Sequence, residues 1–322
     1  MRNSRLFIYL LLLTLCSCKA ELRELCYDHN HWNNVSITFD WKDAPTAQAK
    51  GMTTLFFNQQ ELGTEPERYD FPGRYGGNAR LKGGTYRAVA YNYDTETIRY
   101  RGMDAADNLE AYTRQSSIEE GTQLTRAGMP RAVGTEQEIV ILEPDTLWAA
   151  ASEQLVLEGI DNEVGATLYP STRVCQVEID IHNVPNLQYT GQFGGALSGL
   201  APGVMVASGQ LLDGCVTEAF TCQKIDETTL QMKFRIFGHC PHRDEGQVNP
   251  HLLTIYAILA DGSKWYYTQD VTDQMHDKVK NPDVYHIFLD LDDLPIPKPI
   301  VNGSGFQPTI DGWQGIEIDV GM

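Results

Sequence analysis

From Val35 onward, apolar residues fall at every second position over most of the chain, and that period decides which structures are available. Successive side chains of a strand point to opposite faces, so a period of two marks half-buried sheet, whereas a helix buries positions three and four apart. Val35, Ile37, Phe39 and Trp41 alternate with Ser36, Thr38 and Asp40. Leu55 to Phe57, Tyr86 to Tyr91, Ile98 to Arg101, Glu138 to Leu142 and Gln154 to Leu157 continue the pattern. The second half repeats it at Arg173 to Ile181, Val204 to Ala207, Val216 to Cys222, Leu230 to Phe237 and Tyr285 to Asp290. Leu252 to Leu259 and Trp265 to Thr268 flank Asp261-Gly262, a dipeptide suited to the positive φ angles of a tight hairpin turn. Helical periodicity is confined to Asp104 to Arg114 and, more weakly, Val271 to Val279.

An all-β chain of 322 residues with 42% apolar residues has enough to fill two cores. The reading divides it into a signal peptide (1–17), an N-terminal tether (18–34), a first β-sandwich domain (35–158), a second β-sandwich domain (159–293) and a C-terminal segment (294–322). In that last segment Leu294-Pro-Ile-Pro-Lys-Pro-Ile300 cannot donate a full ladder of hydrogen bonds and reads as a spacer or an edge. Ile316, Ile318 and Val320 then line one face of a final strand, against Glu317 and Asp319 on the other. An isolated strand needs a sheet edge, in its own second domain or in a partner.

Arg2 and Arg5 precede an apolar run from Leu6 to Leu15, too short to cross about 30 Å of hydrocarbon as a mature helix and suited to an export signal. Leu15-Cys16-Ser17-Cys18 resembles a bacterial lipobox, which implies lipidation of Cys18 and retention at the outer membrane, exposed at the surface. The 43 acidic against 25 basic residues give −18, and removal of residues 1–17 with their two arginines makes this −20. Nucleic acid is thereby excluded as a general partner. An anionic bilayer would repel such a body, so the acyl chains must carry the membrane contact.

Candidate chemical groups are sparse. Asp28, His29 and His31 offer a zinc-like spacing with no third ligand fixed, and they read as the lead-in to the first strand. His239-Cys240-Pro241-His242 follows a strand and reads as a solvated turn. The glycines between Gly191 and Gly199 lack the lysine and the strand-to-helix context of a phosphate cradle, and are expected to serve close strand approach or bulges. No serine elbow occurs, so no catalytic residue, metal or cofactor is expected, and the chain reads as non-enzymatic. Five cysteines follow Cys18; Cys215 and Cys222 are the closest pair in sequence, and whether they bridge is left open. Trp265, Tyr266 and Tyr267, or Tyr91-Asn92-Tyr93, offer rings for stacking on sugars, although alternation must send at least one of each trio into the core.

Several stretches carry a family resemblance. Glu24-Leu-Cys-Tyr-Asp-His29, Phe39-Asp-Trp41, Tyr69-Asp-Phe-Pro-Gly-Arg74 and Gly84-Thr-Tyr-Arg-Ala-Val-Ala-Tyr-Asn92 resemble a Bacteroidales lipoprotein family of unknown function, as do Leu168-Tyr-Pro170, Gly195-Ala-Leu-Ser-Gly199 and Asp261-Gly-Ser-Lys-Trp-Tyr-Tyr-Thr268. That family is similar to fimbrillin-like proteins and FimB-type fimbrial anchoring subunits. The resemblance implies two tandem transthyretin-like (Greek-key) β-sandwich domains and a surface lipoprotein that acts as anchor or accessory subunit of a pilus, or as an adhesin. It also implies joining to other fimbrial subunits by strand addition, with Ile316, Ile318 and Val320 as the candidate joining strand. Arg23 lies close to Cys18 with no longer arginine-tipped leader, which disfavours a trimmed stalk subunit. The alternative is a glycan-binding lipoprotein of a polysaccharide-uptake system, with Trp265, Tyr266 and Tyr267 as its stacking residues.

Overall fold

The structure is a computed structural model and describes residues 32–125, 128–158, 163–241, 248–283, 285–299 and 312–318. The signal peptide, Cys18, Cys26, Asp28, His29, His31, His242 and Val320 lie outside the described residues. The chain is almost entirely β. The first half supplies β1 (Trp32–Phe39), β2 (Gly51–Asn58), β3 (Glu67–Pro72), β4 (Gly76–Lys82), β5 (Gly84–Asn92), β6 (Ile98–Arg101), β7 (Glu110–Thr113), β8 (Ile139–Ile141) and β9 (Trp148–Leu157). There follow β10 (Glu163–Leu168), β11 (Ser171–Thr172), β12 (Cys175–His182), β13 (Thr190–Leu200), β14 (Gly203–Met205), β15 (Val216–Thr221) and β16 (Gln223–Lys224). The last strands are β17 (Leu230–Ile236), β18 (Leu252–Leu259), β19 (Lys264–Asp270), β20 (His286–Asp292) and β21 (Trp313–Ile318). Among the described residues, two short α-helices, α1 (Ile118–Thr122) and α2 (Thr272–Met275), lie between these strands.

Alternation is cleanest where one face is wet. In β12 the side chains of Cys175, Val177, Ile179 and Ile181 are buried and their neighbours half-buried, and β17 and β20 do the same with Leu230, Met232, Phe234 and Ile236, and with Ile287, Leu289 and Leu291. These three strands belong to a four-stranded sheet, β16-β17-β12-β20, whose apolar face closes on a six-stranded sheet, β21-β19-β18-β13-β15-β8. The central strands β13, β15 and β18 read as nearly continuous buried runs because their second face is also covered. Ile118 of α1, with Leu124 and Met129, packs there on Ala196, Ala219 and Tyr256. Gly194 makes that approach possible, since a Cβ there would stand 2.4 Å from Thr122 Cβ; on the opposite face a Cβ on Gly195 would stand 2.4 Å from the Phe220 ring of the larger core. Register shifts at both ends of β13 and the positive φ of Gly199 complete the explanation of this run as bulges and close packing.

The other sandwich packs β10-β1-β4 against β11-β9-β5-β2-β3 around Val35, Ile37, Phe56, Leu81 and Ala88. The far side of the five-stranded sheet meets a small sheet, β14-β7-β6, with Leu55, Val89, Leu109, Val204 and Phe237 between them. Strand pairing crosses residue 158 in both directions. β10 returns to lie parallel to β1, β8 reaches forward to lie parallel to β15, and β14 joins β7.

The helix expected over Asp104 to Arg114 is replaced by one 3-10 turn, Ala106–Asn108, and then β7. Pairing of Glu110–Thr113 between β6 and β14 satisfies its backbone and turns Ala111 and Thr113 inward, which overrides the local helical period. The helix within Val271 to Val279 is present but covers only Thr272–Met275. Helix α1 was not expected, although Ser117 followed by Glu120 is a capping signal: the Ser117 hydroxyl accepts the Glu120 N–H. Cys215 bridges Cys240, with Cα atoms 5.1 Å apart, and not Cys222. Cys175 and Cys222 are free thiols, and burial pushes Cys175 up to about 12, which leaves it unreactive.

One buried acid gives a measurable pH dependence. Glu218 of β15 is 1% exposed, between Leu197 of β13 and Ile141 of β8, and its Oε1 has no hydrogen-bond partner. Burial and the nearby Glu143 raise its pKa well above the carboxylate range, partly opposed by Arg235. A folded-state pKa above the unfolded one gives stability that is complete below the unfolded value and is lost as pH rises through the folded value. Glu218→Gln removes that loss. Urea midpoints of the two proteins are expected to agree near pH 4 and to separate on the alkaline side, with the Gln variant the more stable; parallel curves would contradict this.

Candidate functional site

The C-terminal strand closes on its own chain. β21 runs parallel to β19, Lys264 opposite Trp313 and Gln269 opposite Ile318, and forms the outer edge of the six-stranded sheet. Of the two sheet edges open to this strand, the one in its own second half is therefore occupied. Ile316 and Ile318 rest half-buried on the larger core, while Trp313 on the opposite face meets Tyr256 edge-on with ring centroids 5.5 Å apart. Gly315 makes room where the Tyr266 hydroxyl crosses the strand: a Cβ there would lie 2.3 Å from that oxygen.

The joint is not fully satisfied. Nε1 of Trp265, Nε1 of Trp313 and Nε2 of Gln314 are all buried without a hydrogen-bond partner. More than about nine in ten buried polar groups are normally paired, so three such donors on one pair of strands mark a poorly sealed contact. The strand is also short and parallel, the less stable arrangement per residue, and its outer side carries unpaired backbone groups of an edge.

The aromatic trio does not form an open platform. Tyr267 is 1% exposed and donates its hydroxyl to the Pro295 carbonyl at 3.2 Å, Trp265 packs half-buried on the same core, and Tyr266 points to the opposite face. In the other trio, Tyr91 is buried in a stack on Tyr100 with centroids 4.1 Å apart, Asn92 is buried, and Tyr93 is left as a single exposed ring. Of the side chains expected to stack on sugars, Tyr93 alone is left exposed, and neither trio presents a pair of open rings.

A histidine cluster lies at the end of the same sandwich, and the sequence reading did not assemble it. His239 follows β17 and bridges Leu200, His251 precedes β18, and His276 caps α2. His239 Nδ1 lies 3.1 Å from His251 Nε2, which lies 3.1 Å from His276 Nε2. The solvated turn expected at residues 239–242 is not what forms: Cys240 is buried in the disulfide and His239 is half-buried, while His242 is outside the described residues. His239 turns instead to residues 12 and more positions away, a distance no local motif encodes.

Known proteins share this architecture. A candidate fimbrium anchoring subunit of Bacteroides ovatus, Fim4B, is 23% identical over 97% of this chain and 97% of its own length. Among solved structures, a candidate adhesin from Bacteroides ovatus superposes with a TM-score of 0.58 at 20% identity, covering 89% of this chain and 92% of that one. Candidate polysaccharide binding proteins (DUF1812) from Bacteroides thetaiotaomicron give a TM-score of 0.50 at 11% identity, over 81% of this chain and 90% of theirs. Both likenesses agree on the layered β fold. The family described as a domain of unknown function, DUF5119, matches residues 17–221, and the chain belongs to it.

Proposed function

We propose that this chain is an anchoring or accessory subunit of a fimbrium, held at the outer membrane by lipid on Cys18 and joined to neighbouring subunits by strand addition. The observation that carries the proposal is the β19–β21 joint. Its strand is short and three buried donors at the joint lack acceptors, two of them on β21 itself, so β21 is weakly held and a partner strand could take the same edge. The end-to-end likeness to Fim4B supports the same reading. The chain acts by binding and positioning, without catalysis. The polysaccharide-uptake alternative is left without a stacking surface among its named residues, since Trp265, Tyr266 and Tyr267 serve the sheet.

Deletion of residues 312–322 tests the joint. Co-purification with fimbrial subunits from cell envelopes is expected to rise, because the β19 edge is then open to a partner strand, while circular dichroism shows the remaining sheets folded. Unaltered co-purification would overturn the strand-addition reading. Cys18→Ala tests the anchor: the variant is expected in the soluble periplasmic fraction, and membrane partitioning equal to that of the parent would refute lipid attachment at this residue.

A further inference from the structure

We infer that His239, His251 and His276 bind one divalent transition metal of the zinc class, which cross-links the chain after β17, the start of β18 and the end of α2. The three rings come from separate segments, and one ligand atom from each lies within 4.8 Å of the others. Two ligands at about 2.0–2.1 Å on a tetrahedral centre stand about 3.3 Å apart, close to both 3.1 Å separations here.

The protonation pattern favours a cation. His251 Nδ1 lies 3.1 Å from the Ser198 carbonyl, which can only accept, so Nδ1 carries the hydrogen and Nε2 holds a lone pair. A ring nitrogen bound to a backbone carbonyl through its N–H, with the other nitrogen free to coordinate, is the usual orientation of a metal-ligating histidine. One lone pair faces nitrogens of two further imidazoles, and a single cation can receive all three pairs at once. His251 is 1% exposed, which fixes the innermost ligand, while the half-buried His239 and His276 leave the set reachable from solvent. Gly199 leaves room for it: a Cβ at that position would stand 2.9 Å from His251 Nδ1.

The ligand set selects the metal. Three imidazoles suit zinc, copper, nickel or cobalt, whereas calcium and magnesium require oxygen. The neighbouring sulfur of Cys240 is already bonded to Cys215, so thiolate chemistry is excluded at this point.

The test uses the tag-free full chain, purified in detergent and stripped with a chelator. Zinc(II) is titrated against a chromophoric competitor, and cobalt(II) is added separately to read its visible d–d spectrum. One zinc per chain, a four-coordinate cobalt spectrum and a rise in melting temperature with zinc are expected. His239→Ala and His276→Ala, at the two half-buried positions, are expected to weaken zinc by more than about a hundredfold, beyond the 10–100-fold typical of outer-sphere partners. If either variant fails to fold, the other gives the result, with His276→Gln as a milder replacement. No stoichiometric zinc, affinity unchanged in the folded variants, or affinity lost in His29→Ala/His31→Ala and retained in the triad variants would overturn the inference.

Discussion

Phe234→Ala is expected to lower the stability of the chain by about 3–5 kcal/mol, the range for deleting a fully buried ring from a packed core. Phe234 is 1% exposed on β17 and lies against Phe220 of β15, with ring centroids 3.9 Å apart and planes 10° from parallel. This pair spans the two sheets of the larger sandwich at its centre, so the cavity cannot be filled by a surface side chain moving inward. Phe288 of β20 is the control, because it is 37% exposed and points away from that core. Phe288→Ala should change stability by no more than about 0.5 kcal/mol. Urea unfolding followed by tryptophan fluorescence distinguishes the two, and equal midpoints would refute the placement of the core.

The second large effect belongs to the disulfide. Cys215 and Cys240 are 25 residues apart, and closing a loop of that length stabilises by about 3.5 kcal/mol through the unfolded chain's entropy. Cys215→Ala/Cys240→Ala is therefore expected to lose about 3–4 kcal/mol without leaving an unpaired thiol. The bridge also fixes the segment that carries His239, and the Cys240 N–H donates to the Gly199 carbonyl beside His251. Zinc affinity should fall in the double variant along with stability. A variant as stable as the parent under oxidising conditions would show that the bridge does not form.

Much of this architecture was legible in the chain because most strands bury one face. The alternation of Val35 to Trp41 and of Arg173 to Ile181 became β1 and β12 with little adjustment. The strands buried on both faces lost that signal, and only their neighbours in space explain the continuous runs of β2 and β18. Proximity in sequence misled at Cys215 and Cys222. The strand Val216–Thr221 separates them, and at about 3.3 Å per residue it holds them about 20 Å apart, far beyond disulfide reach. The expectation for Ile316 and Ile318 failed to locate their partner for a different reason. Amphipathic pattern states that a strand needs an edge, and says nothing about which edge. The histidine triad was invisible because its members are brought together only by the closure of the sandwich.

The strand exchange between the two halves imposes a timetable on a chain that is made N-terminus first. Asn34 waits for Glu163 and Ile139 waits for Val216, so β1 and β8 each lack a partner until strands from beyond residue 158 are available. Pairings of such long range make folding slow. Among the described strands β21 is made last, and until then the β19 edge stands open. Under the proposed strand addition, a neighbouring subunit's strand that reached this edge first would only have to arrive early, and would not have to displace a strand already in place.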